Sequence, residues 1–136
     1  MKTGEIDSFG VFDAAERYYG ATTTAKREIP DFELEYIVSG GGKTYIDDKE
    51  YLLRPNTFVV RKPGQVSYSE PKFTCYFVHV SVSQDSEFYS VLSALPDYYR
   101  FIDAAEYRLA IEKLVSGLIT DGNDPCDLMV NARLLT

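Results

Sequence analysis

At 136 residues the chain has the usual size of one domain and can bury a core without disulfides or metals. Its formal net charge of -7, with no basic cluster denser than the pairs Lys26-Arg27 and Arg61-Lys62, excludes direct binding of nucleic acid or an anionic membrane by this segment. Cys75 and Cys126 form neither a CxxC motif nor a disulfide framework, MKTGEIDSFG lacks the apolar core of a leader, and no apolar run reaches about 18 residues, so the chain is expected to be soluble and cytoplasmic.

From Met1 to Phe12 there is too little periodicity to assign an element. Between Tyr18 and Ser83 the text reads as short strands separated by turn residues. Phe32 to Ser39 alternates, with Leu34, Tyr36 and Val38 on one face and Glu33 and Glu35 on the other, as a strand with one buried face requires. Gly40-Gly41-Gly42 turns the chain into a strand over Lys43 to Asp47, and Asp47-Asp48-Lys49 turns it again into Glu50 to Arg54. Pro55-Asn56 opens Thr57 to Arg61, Lys62-Pro63-Gly64-Gln65 is the next turn, and Val66 to Ser69 and Phe73 to Ser83 are further strands. Roughly seven strands with hairpin-length links imply an antiparallel sandwich or barrel and exclude βαβ units.

Ser86 to Leu95 is expected to form a short helix stopped by Pro96. Asp103-Ala-Ala-Glu106 reads as a capping box opening a helix that carries Ile111, Leu114, Val115 and Leu118, and Asp124-Pro125 caps a second helix still running at Thr136. The apolar rows of the first helix exceed what one stripe needs, so these positions either meet a partner or pack within the chain.

Three stretches taken together resemble the sensor domain of AraC/XylS-type transcription regulators. They are Arg27-Glu-Ile-Pro-Asp-Phe-Glu-Leu-Glu-Tyr-Ile-Val-Ser-Gly-Gly-Gly, Asp47-Asp-Lys-Glu-Tyr-Leu-Leu-Arg-Pro-Asn-Thr with Arg61-Lys-Pro-Gly, and Phe73-Thr-Cys-Tyr-Phe-Val-His-Val-Ser. Asn56-Thr57 stands where that family usually has Gly-Asp, and Ser67 about where many cupins place a metal-binding His. The resemblance implies a mainly β chain with C-terminal α-helices, namely a cupin-like antiparallel β-barrel (jelly roll) with an N-terminal arm over residues 1–100, then a helical linker and dimerisation pair over 101–136, truncated before a DNA-binding domain that this chain lacks. It implies a small effector such as a sugar in the barrel, a homodimer through Ile111, Leu114, Val115 and Leu118, and DNA contact only through the missing helix-turn-helix domain. In some relatives the arm closes the pocket, which makes Phe9 and Phe12 candidate plugs.

Chemistry is limited by histidine. Cupin enzymes gather several imidazoles around a transition metal, whereas His79 is the only His of this chain, so no metal, cofactor or catalytic residue is expected. Cys75, four residues from His79 on one strand face, would lie roughly 13 Å away by strand rise, too far for proton transfer. A stand-alone cupin enzyme such as a sugar isomerase or lyase is the alternative reading. The expected ligand contacts begin with Arg27, whose guanidinium forks two hydrogen bonds in a plane or else makes a surface ion pair. Thr23 and Ala25 share its face by alternation. Cys75, Phe77 and His79 share a face that the resemblance turns inward, as lining or as ligand contacts. Tyr36 is a candidate contact or core residue, and Ser67 and Tyr68 follow the turn at the mouth.

Overall fold

Alternation and turn chemistry place most of the strands. The computed structural model describes residues 4–100, in which two antiparallel sheets face one another. The chain order is β1 (Gly4–Asp13), α1 (Ala14–Arg17), β2 (Arg27–Glu28), β3 (Phe32–Gly41), β4 (Lys43–Ile46), β5 (Lys49–Leu52), β6 (Thr57–Arg61), β7 (Val66–Ser69), β8 (Lys72–Val82), α2 (Glu87–Ala94) and β9 (Tyr98–Arg100). The larger sheet runs β1-β8-β3-β6-β9 and the smaller β2-β7-β4-β5.

Turns fix the register. Ile46 pairs with Lys49, so β4 and β5 are joined by Asp47-Asp48 alone, with φ of 48° and 67° at the two residues, the left-handed pair that a two-residue hairpin needs. Asn56 takes φ 69°, a left-handed backbone that Asn tolerates better than most residues, and so turns the chain into β6. Gly40, at φ 94°, lies so close to β8 that a Cβ there would stand 2.1 Å from the Lys72 carbonyl oxygen.

β3 has both faces buried. Leu34 and Tyr36 pack with Phe32, Phe58, Val60, Val78, Val80 and Leu92 on the side of the large sheet covered by α2, where the Phe32 and Tyr89 rings meet edge to face at 5.1 Å. Ser86 caps α2 by accepting from the Phe88 N–H, and the helix ends at Leu95, held extended ahead of Pro96. Burying Leu92 completely contributes roughly 2 kcal/mol. Ile37 points to the other side, into a second cluster with Ile46, Leu53, Val59, Phe73 and Cys75 that fills one end of the space between the sheets.

Three expectations need correction. Glu33 and Glu35 do not face solvent: they are 3% and 8% exposed, because the apolar face of β3 is covered by α2 and the polar face looks between the sheets. Within the segment from Met1 to Phe12, whose periodicity assigns no element, the chain forms from Gly4 a long edge strand, β1, in register with β8 from Gly4 opposite Val82 to Asp13 opposite Thr74. The described residues are two sheets with two short helices, α1 and α2, and contain no C-terminal helical pair after the sheets, so the fold class of a barrel followed by such a pair does not hold. The positions on which that pair was expected, including Ile111, Leu114, Val115 and Leu118, lie outside the described residues, as does the proposed boundary between 1–100 and 101–136. Among the described residues no helix is long and apolar enough to cross a membrane.

Candidate functional site

The register of the large sheet aligns side chains on the wall that faces its partner sheet. Glu33 sits opposite His79, Glu35 opposite Phe77 and Ile37 opposite Cys75, while Phe12 of β1 sits opposite Cys75 from the other edge. Arg27 pairs with Ser67 at the start of the small sheet. Where the apolar cluster ends, Phe12, Arg27, Glu35, Ser67, Phe77 and His79 help to line a cavity of about 360 Å³ bordered by both sheets and by α1. Rings of Phe12, Tyr18, Phe73 and Phe77 supply apolar wall, and Arg27, Arg61, Glu35, Ser67, Ser69 and His79 supply polar atoms.

Two guanidinium–carboxylate pairs organise the polar part. Arg27 donates from both terminal nitrogens to Glu33, at 2.7 Å and 2.5 Å, in the bidentate fork that fixes a guanidinium plane. Burial pushes the Glu33 carboxyl up, but the hydrogen bonds and charge of Arg27 outweigh it and hold the group below the usual carboxylate range; the same bonds raise Arg27. Deeper in, Arg61 reaches from β6 across to the small sheet. Its Nε donates to the Ser67 hydroxyl at 3.0 Å, Nη1 to Glu35 at 2.6 Å and Nη2 to the Thr44 hydroxyl at 2.9 Å, and Thr44 in turn shares a hydrogen bond with Ser69 at 2.8 Å. Such a buried charge persists only where its partners are in place, and no buried side-chain polar atom lacks a partner among the described residues.

His79 stands 3.9 Å from Glu33 through Nε2, beyond hydrogen-bond range, with its ring 5.0 Å from that of Phe77. Glu33, Glu35 and His79 each bring a ligand atom within 4.8 Å of the others. A cation there would take both carboxylates from the guanidiniums that now hold them, and with one imidazole the set suits transition metals weakly.

Of the residues expected to contact a ligand, Arg27, Ala25, Ser67, Tyr68, Phe77 and His79 line the cavity. Thr23 does not; its neighbour Thr24 does, because the segment before Arg27 is not a strand and the alternation does not extend into it. Thr24 is tied to β7 through its backbone N–H to the Ser69 carbonyl at 2.8 Å and its hydroxyl accepting from Ser69 N–H at 2.9 Å. Tyr36 lies on the opposite face of β3, its hydroxyl donating to Asn56 at 2.6 Å. Cys75 faces inward but is sealed in the apolar cluster, where burial pushes its thiol up and disfavours the thiolate. Phe12 lines the cavity from within β1, against Tyr18 and Phe77, whereas Phe9 lies opposite Val78 on the other face. The reading from sequence missed Glu33, Glu35 and Arg61. A signal was present in the two carboxylates at alternate positions of β3 and the Arg that closes the next long strand.

No family model matches the chain and no curated protein matches it in sequence. Among solved structures, ToxT from Vibrio cholerae O395, an AraC-family regulator seen bound to (E)-4-(8-methylnaphthalen-1-yl)but-3-enoic acid, aligns with 98% of this chain and 55% of its own at 12% identity and a TM-score of 0.49. A conserved protein of unknown function from Streptococcus pyogenes aligns with 45% of this chain and 55% of its own, at 19% identity and a TM-score of 0.42. A variant of the cupin oxalate decarboxylase from B. subtilis aligns with 81% of this chain and 28% of its own, at 12% identity and a TM-score of 0.38. The chain thus corresponds to about half the length of the first two and less of the third.

Proposed function

We propose that this chain is the effector-binding domain of an AraC-type transcription regulator, taking a small polar molecule, such as a sugar, into the cavity between its sheets. The observation that carries the reading is a cavity of about 360 Å³, within the range of small-molecule sites, that joins aromatic wall to convergent hydrogen-bonding groups. The resemblance of residues 27–83 to AraC/XylS sensors supplies the regulatory context. On this reading occupancy shifts the population between two arrangements of the domain, and the acidic chain leaves DNA contact to a separate domain.

Calorimetric titration with neutral sugars, sugar acids and aromatic acids tests it. At least one compound should bind at one site per chain, and Ala25→Trp, which fills the cavity from an exposed position, should abolish that binding. Absence of binding across the panel, or binding indifferent to Ala25→Trp, would overturn the reading. The closeness of Glu33, Glu35 and His79 favours a second reading, a metal-loaded cupin enzyme. Stoichiometric iron, manganese, zinc or nickel in purified protein would support it.

A further inference from the structure

Resting on the reading of the cavity as a small-molecule site, we propose that the Arg61–Glu35 pair is its specificity element: it admits a ligand that presents a hydrogen-bond donor beside an acceptor without net charge, and rejects carboxylates and ammonium groups. Arg61 is 2% and Glu35 8% exposed, yet both line the cavity. A guanidinium carries five N–H donors. Three of those on Arg61 are taken by Ser67, Glu35 and Thr44, which leaves two without a partner among the described residues. Among the described residues Glu35 accepts through Oε1 alone, so its Oε2 has no partner there.

Donor and acceptor therefore stand side by side on two residues joined at 2.6 Å, and their charges cancel. A ligand carboxylate drawn to the open N–H groups of Arg61 must lie against Glu35, and a ligand ammonium drawn to Glu35 must lie against Arg61. Because Arg61 and Glu35 are themselves nearly fully buried, either like-charge contact is costly. A hydroxyl meets neither penalty, since it accepts from Arg61 through its oxygen and donates to Glu35 through its hydrogen.

The Arg27–Glu33 pair lies beside it, with the carboxylates of Glu33 and Glu35 approaching within 4.8 Å, but both Glu33 oxygens are held by the Arg27 fork and only Arg27 of that pair lines the cavity. Phe77, opposite Glu35 on the neighbouring strand, adds an aromatic ring to the cavity wall against which a ligand's C–H bonds can pack.

The test is a titration of the intact chain with three matched probe sets: neutral hexoses, the corresponding hexuronic acids and the corresponding hexosamines. Wild type should bind a neutral hexose at least about tenfold more tightly than its acid or amine. Glu35→Gln, which keeps shape but not charge, should cut the discrimination against the acid by about tenfold. Tightest binding of an acid or an amine by the wild-type chain would overturn this proposal while sparing the small-molecule site. Failure of every probe in this set and in the wider panel would overturn both. If Glu35→Gln does not fold, the wild-type ratios alone decide.

Discussion

Replacing Arg61 by Met tests whether the site is held together by charge compensation. The side chains of Arg61 and Glu35 are 3% and 10% exposed, so the variant leaves a carboxylate in the interior with its donor gone and deprives the Ser67 and Thr44 hydroxyls of theirs. Removing one member of a buried pair costs about 3–5 kcal/mol, chiefly the penalty on the charge left behind. For a chain of this size that corresponds to a fall in Tm of roughly 10–20 °C. Glu35→Leu alone should cost a similar amount by stranding the guanidinium. The double variant removes both charges together and should recover at least about 2 kcal/mol relative to the sum of the singles. Urea unfolding followed by circular dichroism gives all four values, provided m stays constant across the set. Singles costing under about 1 kcal/mol, or a double equal to their sum, would refute the claim that the pair is buried and mutually compensating.

Glu33→Gln should lower stability at neutral pH by about 1–2 kcal/mol, at the small end for a charged hydrogen-bonded pair because half of the Arg27 side chain meets solvent. Glu33 is held below its unfolded pKa, so this contribution is present above the ordinary carboxylate range and is lost as pH falls through the folded value. Denaturation series from neutral pH to about pH 3 should therefore show wild type and variant converging in acid; a constant gap contradicts the assignment. Gly40→Ala places a Cβ 2.1 Å from a backbone carbonyl at φ 94° and should cost at least about 2 kcal/mol, whereas a Cβ at Gly41 meets nothing within 4 Å, so Gly41→Ala should stay within about 1 kcal/mol of wild type. Melting curves of the two variants separate these outcomes.

The strand series from Phe32 to Val82 was legible because its turns are chemically explicit. Asp47-Asp48, Asn56 and the Lys62–Gln65 turn each constrain the backbone locally, and a local constraint can be read from adjacent residues. The first strand was not legible. Gly4–Asp13 is an edge strand with a register shift between Ile6 and Ser8 and glycine at positions 4 and 10, so its alternation is broken and its pairing to β8 is a contact some seventy residues distant. Arg27 could be placed by resemblance, while Thr23 was misplaced by carrying a two-residue period into a segment without strand geometry.

The polar face of β3 posed a different problem. Period-two alternation sorts side chains onto two faces but does not say which face is outside. Leu34 and Tyr36 against Glu33 and Glu35 suggest apolar inward and polar outward, the rule for a sheet with one wet side. A sheet that helps line a polar cavity, and is itself covered by a helix, reverses that assignment. The reversal could have been argued from α2, whose Phe88, Tyr89, Leu92 and Leu95 need an apolar surface in reach. Once that helix covers Leu34, Tyr36 and Val78, the glutamates of β3 must look into the interior, and two buried carboxylates demand two buried or half-buried cations. Arg27 and Arg61 meet that demand, so in this fold a charge-neutral polar cavity is a consequence of where one short helix packs.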